Sequence, residues 1–220
     1  MSPDRKLEIA SSLRSIRGEI PNRVTLIVVT KTFPVSDVEI LYELGERNFG
    51  ENRDAEGAEK SSVLPEDAQW HFQGGIQSNK LRSIVGWSDF IHSLDELRHA
   101  EKISTIADDM KKKQNCFIQV NLDRDGANEN RSGIKSAELS KFADEISAFS
   151  GINIVGVMGV GPLHSDPRPA FAELQSASQE LQKVVPQATY ISGGMSGDFR
   201  IALEFGATHI RIGSSILGSR

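Results

Sequence analysis

A single lysine closes an otherwise apolar run. In Val24-Thr-Leu-Ile-Val-Val-Thr-Lys31, residues with the character of a buried strand lead straight to an amine. Period-two alternation puts Lys31 on the face of Val29, Ile27 and Thr25. An inward-facing Lys31 would then sit over apolar walls, where desolvation lowers an amine's pKa and frees its lone pair to attack a carbonyl. That is Schiff-base chemistry; the alternative is a lysine that snorkels or ion-pairs at a strand end.

Two small-residue turns supply a complementary feature. One is Ser192-Gly-Gly-Met-Ser-Gly-Asp198, which follows an apolar run and opens a helix; the other is Arg211-Ile-Gly-Ser-Ser215, at the end of another run. Backbone N–H groups at a helix start favour anions, and Ser192, Gly193, Gly194, Gly213 and Ser214 combine small size with donors. Together with Lys31 they imply a phosphorylated carbonyl ligand. Two further strand ends add polar groups. Asn52, in Phe49-Gly-Glu-Asn52, offers a donor and acceptors, or else an N-cap; His71, in His71-Phe-Gln-Gly, could bond to a ligand or stack on it, or else pack in a wall.

Other chemistries lack their residues. Gly156-Val-Met-Gly-Val-Gly161 follows a strand but is not the dinucleotide fingerprint, and no Gly-Lys pair exists to build a P-loop. No H-E-x-x-H or paired-cysteine pattern points to zinc, and the five histidines are scattered, each read as a packing or surface residue. No metal is expected.

The elements that must position these groups alternate along the whole chain. Candidate strands are Val24–Thr30, Arg47–Phe49, Gln69–Phe72, Trp87–Ile91, Cys116–Asn121, Ile152–Met158, Thr189–Ser192 and Thr208–Ile212. Helical patterns lie between them over Val35–Leu44, Asn52–Val63, Ser78–Val85, Leu94–Lys112, Ser136–Phe149, Pro169–Val184 and Gly197–Phe205. Ser93-Leu-Asp-Glu96 reads as a capping box, and Lys111 to Lys113 as cations complementing a helix C-terminus. The order predicts an α/β protein, a single (β/α)₈ TIM barrel over residues 1–220, with an open doubly wound sheet as the competitor. An additional N-terminal helix over Asp4–Arg17, with Leu7, Ile9, Leu13 and Ile16 on its apolar side, would cover the region that the short stretch after the last strand leaves open.

Composition bounds the partners. The 220 residues are 38% hydrophobic and 25% charged, which suits a globular core and excludes disorder. A net charge of −5 provides no overall field toward nucleic acid or anionic lipid. No run approaches the ~20 apolar residues of a membrane span, the polar N-terminus lacks a signal peptide's apolar core, and the lone Cys116 reads as a buried thiol, so a cytoplasmic location is expected.

The motifs also carry a resemblance. Val29-Thr-Lys31, Phe49-Gly-Glu-Asn52, His71-Phe-x-Gly with Gln77-x-Asn-Lys80, Gly156-Val-Met158, Ser192-x-Gly-Met-Ser-x-Asp198 and Arg211-Ile-Gly-Ser-Ser215 occur in order along nearly the whole chain. In these the sequence resembles the pyridoxal phosphate homeostasis protein family, the YggS/PROSC type, related to the N-terminal barrel of bacterial alanine racemase. The resemblance implies a fold-type III barrel binding pyridoxal 5′-phosphate (PLP) as an internal aldimine on Lys31. Ser192, Gly194, Gly213 and Ser214 would hold the phosphate, Arg211 would approach the pyridine nitrogen, Asn52 the ring hydroxyl, and Met158 and His71 the pocket wall. It further implies a role in vitamin B6 homeostasis without strong amino-acid turnover, as a monomer with PLP-dependent apo-enzymes as recipients. A narrow-specificity racemase-like enzyme is the alternative; an aldolase-like barrel that condenses Lys31 with a sugar phosphate is a weaker one. Racemisation needs a base on each face of the substrate carbon, and Tyr42 and Tyr190 are the tyrosines at hand, neither at a predicted mouth. Gly193, Gln73 and Arg131 depart from the family pattern, where methionine, an apolar residue and lysine are usual.

Overall fold

A computed structural model describes residues 3–123 and 132–218; Arg131 lies outside them. The helices and strands alternate as α1 (Pro3–Glu19), β1 (Thr25–Val29), α2 (Val35–Glu43), β2 (Asn48–Glu51), α3 (Asp54–Ser61), β3 (Gln69–Phe72), α4 (Leu81–Trp87), β4 (Phe90–Leu94), α5 (Leu97–Asp109) and β5 (Gln114–Gln119). After a 3₁₀ turn at Ser136–Glu138 come α6 (Leu139–Ser147), β6 (Ile152–Met158), α7 (Arg168–Val184), β7 (Tyr190–Ser192), α8 (Phe199–Glu204), β8 (His209–Ile212) and α9 (Ser214–Leu217). The strands form a closed parallel barrel in sequence order, β8 returning to β1 in the register Thr25↔His209 to Val28↔Ile212. Closure removes every sheet edge, and the open-sheet alternative is excluded.

Alternation within the strands builds two apolar regions. Leu26, Val28, Phe49, Trp70, Cys116 and Ile118 belong to the main core under the helices, whereas Phe117, Val155 and Met158 form a separate interior cluster with Phe90. Cys116 is buried, and burial pushes its thiol up, so it is an inert core residue. Helix α1 buries Ile9, Leu13 and Ile16 and packs on α2 and α9. Arg5 fastens it there, bonding Asp37 at 2.6 Å and the Leu217 carbonyl at 3.0 Å. The predicted cover over the chain's last turn is therefore present, except that Leu7 lies 69% exposed, off the apolar stripe.

Three local expectations are corrected. The fourth strand begins at Phe90, not Trp87, which ends α4 with its indole against Trp70 and its N–H on Asp54. The helix that was expected from Leu94 starts at Leu97, and Ser93 caps nothing: it lies in β4 and donates to the Gly74 carbonyl at 2.6 Å. A strand hydroxyl facing a buried carbonyl answers a larger desolvation cost than an exposed helix end does. Lys112, in the basic run, donates to the Val85 and Ser88 carbonyls, closing the C-terminus of α4 rather than fading into solvent beyond α5.

Candidate functional site

The barrel interior holds a polar wire. Inward positions of β3, β4, β7 and β8 bring His71, His92, Ser192 and Arg211 together, all buried. Arg211 donates to Ser192 Oγ at 2.6 Å, and Ser192 Oγ lies 3.0 Å from His92 Nδ1. His92 Nε2 lies 3.0 Å from His71 Nδ1, and His71 Nε2 lies 3.0 Å from Asn48 Oδ1. The two ends dictate the direction of every proton. Guanidinium only donates and an amide oxygen only accepts, so the chain runs Arg211 to Ser192 to His92 to His71 to Asn48 with both imidazoles neutral. Burial, the main cause, holds His71 and His92 well below the ordinary histidine range; charge on His209 and, for His92, on His71 and Arg211 acts in the same sense. His209, beside Tyr190 with ring centroids 4.6 Å apart, is lowered to about 4 by burial and by Arg211.

This arrangement changes the roles read for two residues. His71 is not at the rim: both ring nitrogens are engaged and its face stacks on Phe90 at 4.6 Å. Ser192 is fully buried with its hydroxyl between His92 and Arg211, where it orients Arg211. The histidines are also not scattered. His71, His92 and His209 occupy one interior, a gathering legible only once strand alternation is combined with barrel closure.

Arg211 is anchored a second time, to the Gly159 carbonyl at 2.9 Å. Burial lowers its guanidinium to about 10, partly offset by Asp198, which leaves it a cation at neutral pH. Above it the mouth opens between the ends of β1, β2, β7 and β8. Lys31 stands in the turn after β1 and is exposed, so the apolar walls expected to desolvate it are absent from this conformation. Asn52 is exposed after β2, and it is not an N-cap: Arg53 holds that position of α3. Met158 is buried at the end of β6, in register with Ser192, in the interior cluster with Phe117.

The two small-residue loops meet. Ser196 Oγ lies 3.2 Å from Ser214 Oγ and accepts from the Ser215 amide at 3.4 Å. Gly194 has φ +91 and its carbonyl accepts from the Arg211 amide, while a Cβ there would lie 2.8 Å from Phe199 Cα. Gly213 starts α9, where a Cβ would come within 3.1 Å of the Val29 carbonyl. Glycine thus lets the end of β8 lie close against β1. Gln73 adds a buried amide nitrogen without a partner, facing Gly50 just below the rim.

Among the described residues, one group with metal-ligand chemistry occurs elsewhere: Asp95, Glu96 and His99, with donor atoms within 4.8 Å of one another. Their carboxylates already serve the chain. Asp95 accepts from the Gly133 amide at 2.9 Å, tethering the loop before α6, and Glu96 pairs with Arg98.

Comparison with known proteins places this geometry. The family described as alanine racemase, N-terminal domain, matches residues 7–220. A pyridoxal phosphate homeostasis protein of Synechocystis is 36% identical over 93% of this chain and 95% of its own length; one of Mycobacterium tuberculosis is 31% identical over 99% and 95%. The solved structure of PipY from Synechococcus elongatus with PLP bound superposes with a TM-score of 0.87 at 35% identity, over 96% of this chain and all of that one. Alanine racemase of Corynebacterium glutamicum shares the fold, with a TM-score of 0.79 at 13% identity, over 96% of this chain and 60% of that enzyme.

Proposed function

This chain belongs to the alanine racemase N-terminal domain family and, within it, to the pyridoxal phosphate homeostasis proteins, and from that membership we propose how its mouth works as a PLP-binding site in vitamin B6 homeostasis. The observation that carries the reading is the convergence of an exposed lysine, a buried cation and two apposed small-residue loops on one barrel end. The residues fit the cofactor: the glycine cradle has no room for a Cβ at Gly194, and Gln73 holds an amide donor without a protein partner below the rim.

When bound, the cofactor supplies an aldehyde, the electrophile with which a deprotonated lysine amine condenses with loss of one water. Lys31 is the amine. Gly194, Gly213 and Ser214, joined by Ser196, present amides and hydroxyls to the phosphate. Arg211 would stand by the ring nitrogen, where a fixed cation would oppose protonation and so weaken the ring as an electron sink. Asn52 would border the ring hydroxyl and Met158 the pocket wall. His71 and Ser192 act one step removed, as the wire that holds Arg211 in place.

Carriage of the cofactor is favoured over amino-acid turnover. A second base would have to stand at the mouth, but Tyr42 bonds Asp67 on the outer surface and Tyr190 is the first residue of β7, at the opposite end from Lys31. The reading extends to a cytoplasmic monomer of one domain that passes PLP to apo-enzymes. Among the described residues no helix is long and apolar enough to cross a membrane, and Cys116 is buried.

Borohydride reduction of the protein with PLP, followed by peptide mapping, tests the site. The adduct is expected on Lys31. No adduct, or one on Lys80 or another surface lysine, overturns the assignment.

A further inference from the structure

Lys31 is the second residue of a tight turn. The Phe33 amide donates to the Thr30 carbonyl at 3.0 Å, and Thr32 follows Lys31 with φ +63, a left-handed conformation that a β-branched residue adopts only at a cost. Something outside the turn must hold it.

Behind it lies a cluster that the cofactor site does not use. Lys60, on α3, is 3% exposed, and its ammonium has three partners: Glu51 Oε1 at 2.6 Å, the Thr30 carbonyl at 2.8 Å and Glu56 Oε2 at 3.4 Å. Glu51, fully buried at the end of β2, also accepts from Thr30 Oγ1 at 2.6 Å. The Glu56 carboxylate accepts in turn from the Thr32 amide. Buried ion pairs add little net stability when desolvation is counted, so their retention points to a positional role.

The geometry is specific to one residue. The Thr30 carbonyl belongs to the peptide unit before Lys31, and the Thr32 N–H to the unit after it. The cluster therefore grips both peptide planes that flank the Lys31 Cα. Two fixed planes determine φ and ψ of Lys31, and with them the direction of its Cα–Cβ bond. No contact with the lysine side chain is needed.

We propose that Glu51, Lys60 and Glu56 form a positioning clamp that aims the Lys31 side chain into the mouth and so sets the rate and extent of cofactor attachment. None of the three is among the residues assigned to the cofactor. The inference rests on the proposed function, because only an attached cofactor gives the aim of Lys31 a consequence. It is nevertheless a statement about the ligand-free turn as well.

The test uses the full chain and PLP. Glu56→Ala removes the grip on Thr32 at a partly buried position, Glu56→Gln restores an acceptor without charge, and Lys60→Met removes the hub. Attachment is followed by the imine absorbance after mixing, and the trapped fraction on Lys31 by borohydride and mapping; hydrogen exchange of the Thr32 amide is read without cofactor. Arg82→Ala, which breaks an exposed pair with Asp109, is the control. The clamp predicts that Glu56→Ala attaches PLP on the order of tenfold more slowly, as expected for a reacting group displaced by a fraction of an ångström. It also predicts faster exchange at Thr32, near-complete rescue in Glu56→Gln, and no change in Arg82→Ala. A folded Glu56→Ala protein with wild-type attachment and wild-type Thr32 exchange overturns the clamp. Should Lys60→Met fail to fold, the Glu56 pair still decides. Failure of the functional reading looks different: the unmutated protein would then show no adduct on Lys31.

Discussion

Acid will unfold this protein through its barrel interior. His71, His92 and His209 are neutral in the folded state, held so chiefly by burial in the barrel interior. Unfolded, each histidine titrates near 6.5. Folded pKa values lie below that, so the unfolded state takes up more protons; the native state is unpenalised above about pH 7 and loses stability as pH falls through 6.5 toward the folded values. For His209, the drop from 6.5 to about 4 amounts to roughly 3 kcal/mol over the whole window, at about 1.4 kcal/mol per unit. At pH 5 His209, still held neutral, costs about 2 kcal/mol relative to pH 8, and His71 and His92 act in the same direction. Glu51 and Asp95, raised by burial, work in the opposite sense. Urea unfolding followed by tryptophan fluorescence at pH 8 to 5 should show stability falling below pH 6.5, with His209 contributing a slope of up to about 1.4 kcal/mol per pH unit. In His209→Gln that contribution should disappear. A flat profile between pH 7.5 and 5.5, or a slope untouched by His209→Gln, would refute the neutral-interior reasoning.

Ser192→Ala strips Arg211 and His92 of a buried partner, and should cost about 2 kcal/mol in urea unfolding while lengthening the range of Arg211 positions and weakening PLP retention; an unchanged midpoint would remove Ser192 from the wire. Gly194→Ala forces a side chain into φ +91 and to within 2.8 Å of the Phe199 backbone. It should lower stability by more than about 1 kcal/mol and weaken binding of inorganic phosphate as a competitor of PLP. Lys31→Ala, at an exposed position, should change stability by less than about 0.5 kcal/mol and abolish the reduced adduct, which mass spectrometry of the whole chain would report.

Much of this molecule is written in local pattern. Alternating apolar strands and amphipathic helices determined a parallel βα architecture, because each period selects its own backbone geometry and no long linker interrupts the series. The glycine at Gly194 was legible for the same local reason, since a left-handed turn there disfavours other residues, whereas the close approach of Gly213 to the Val29 carbonyl belongs to the assembled barrel. Where a signal was ambiguous at short range, it was misread. Trp87 suits a strand or a helix end equally, and Ser93-x-x-Glu96 looks like a cap until a buried carbonyl at Gly74 claims the hydroxyl.

Only closure of the barrel decided the rest. His71, His92 and His209 lie on three different strands, and nothing local in QWHF, FIHSL or HIRI says that their rings will meet. Strand order and register bring them together, and a shared low-dielectric interior then makes one hydrogen-bond chain of them and fixes their neutral state. The grip on Lys31 has the same origin. Glu51, Glu56 and Lys60 are near one another in sequence, yet their contact with the Thr30 carbonyl and Thr32 amide exists because β2 pairs beside β1 and α3 folds back over both. The sequence determined which groups carry the chemistry; the tertiary structure decided which of them face the mouth and which support it from behind, since direction and burial are properties of the assembled barrel and not of any segment.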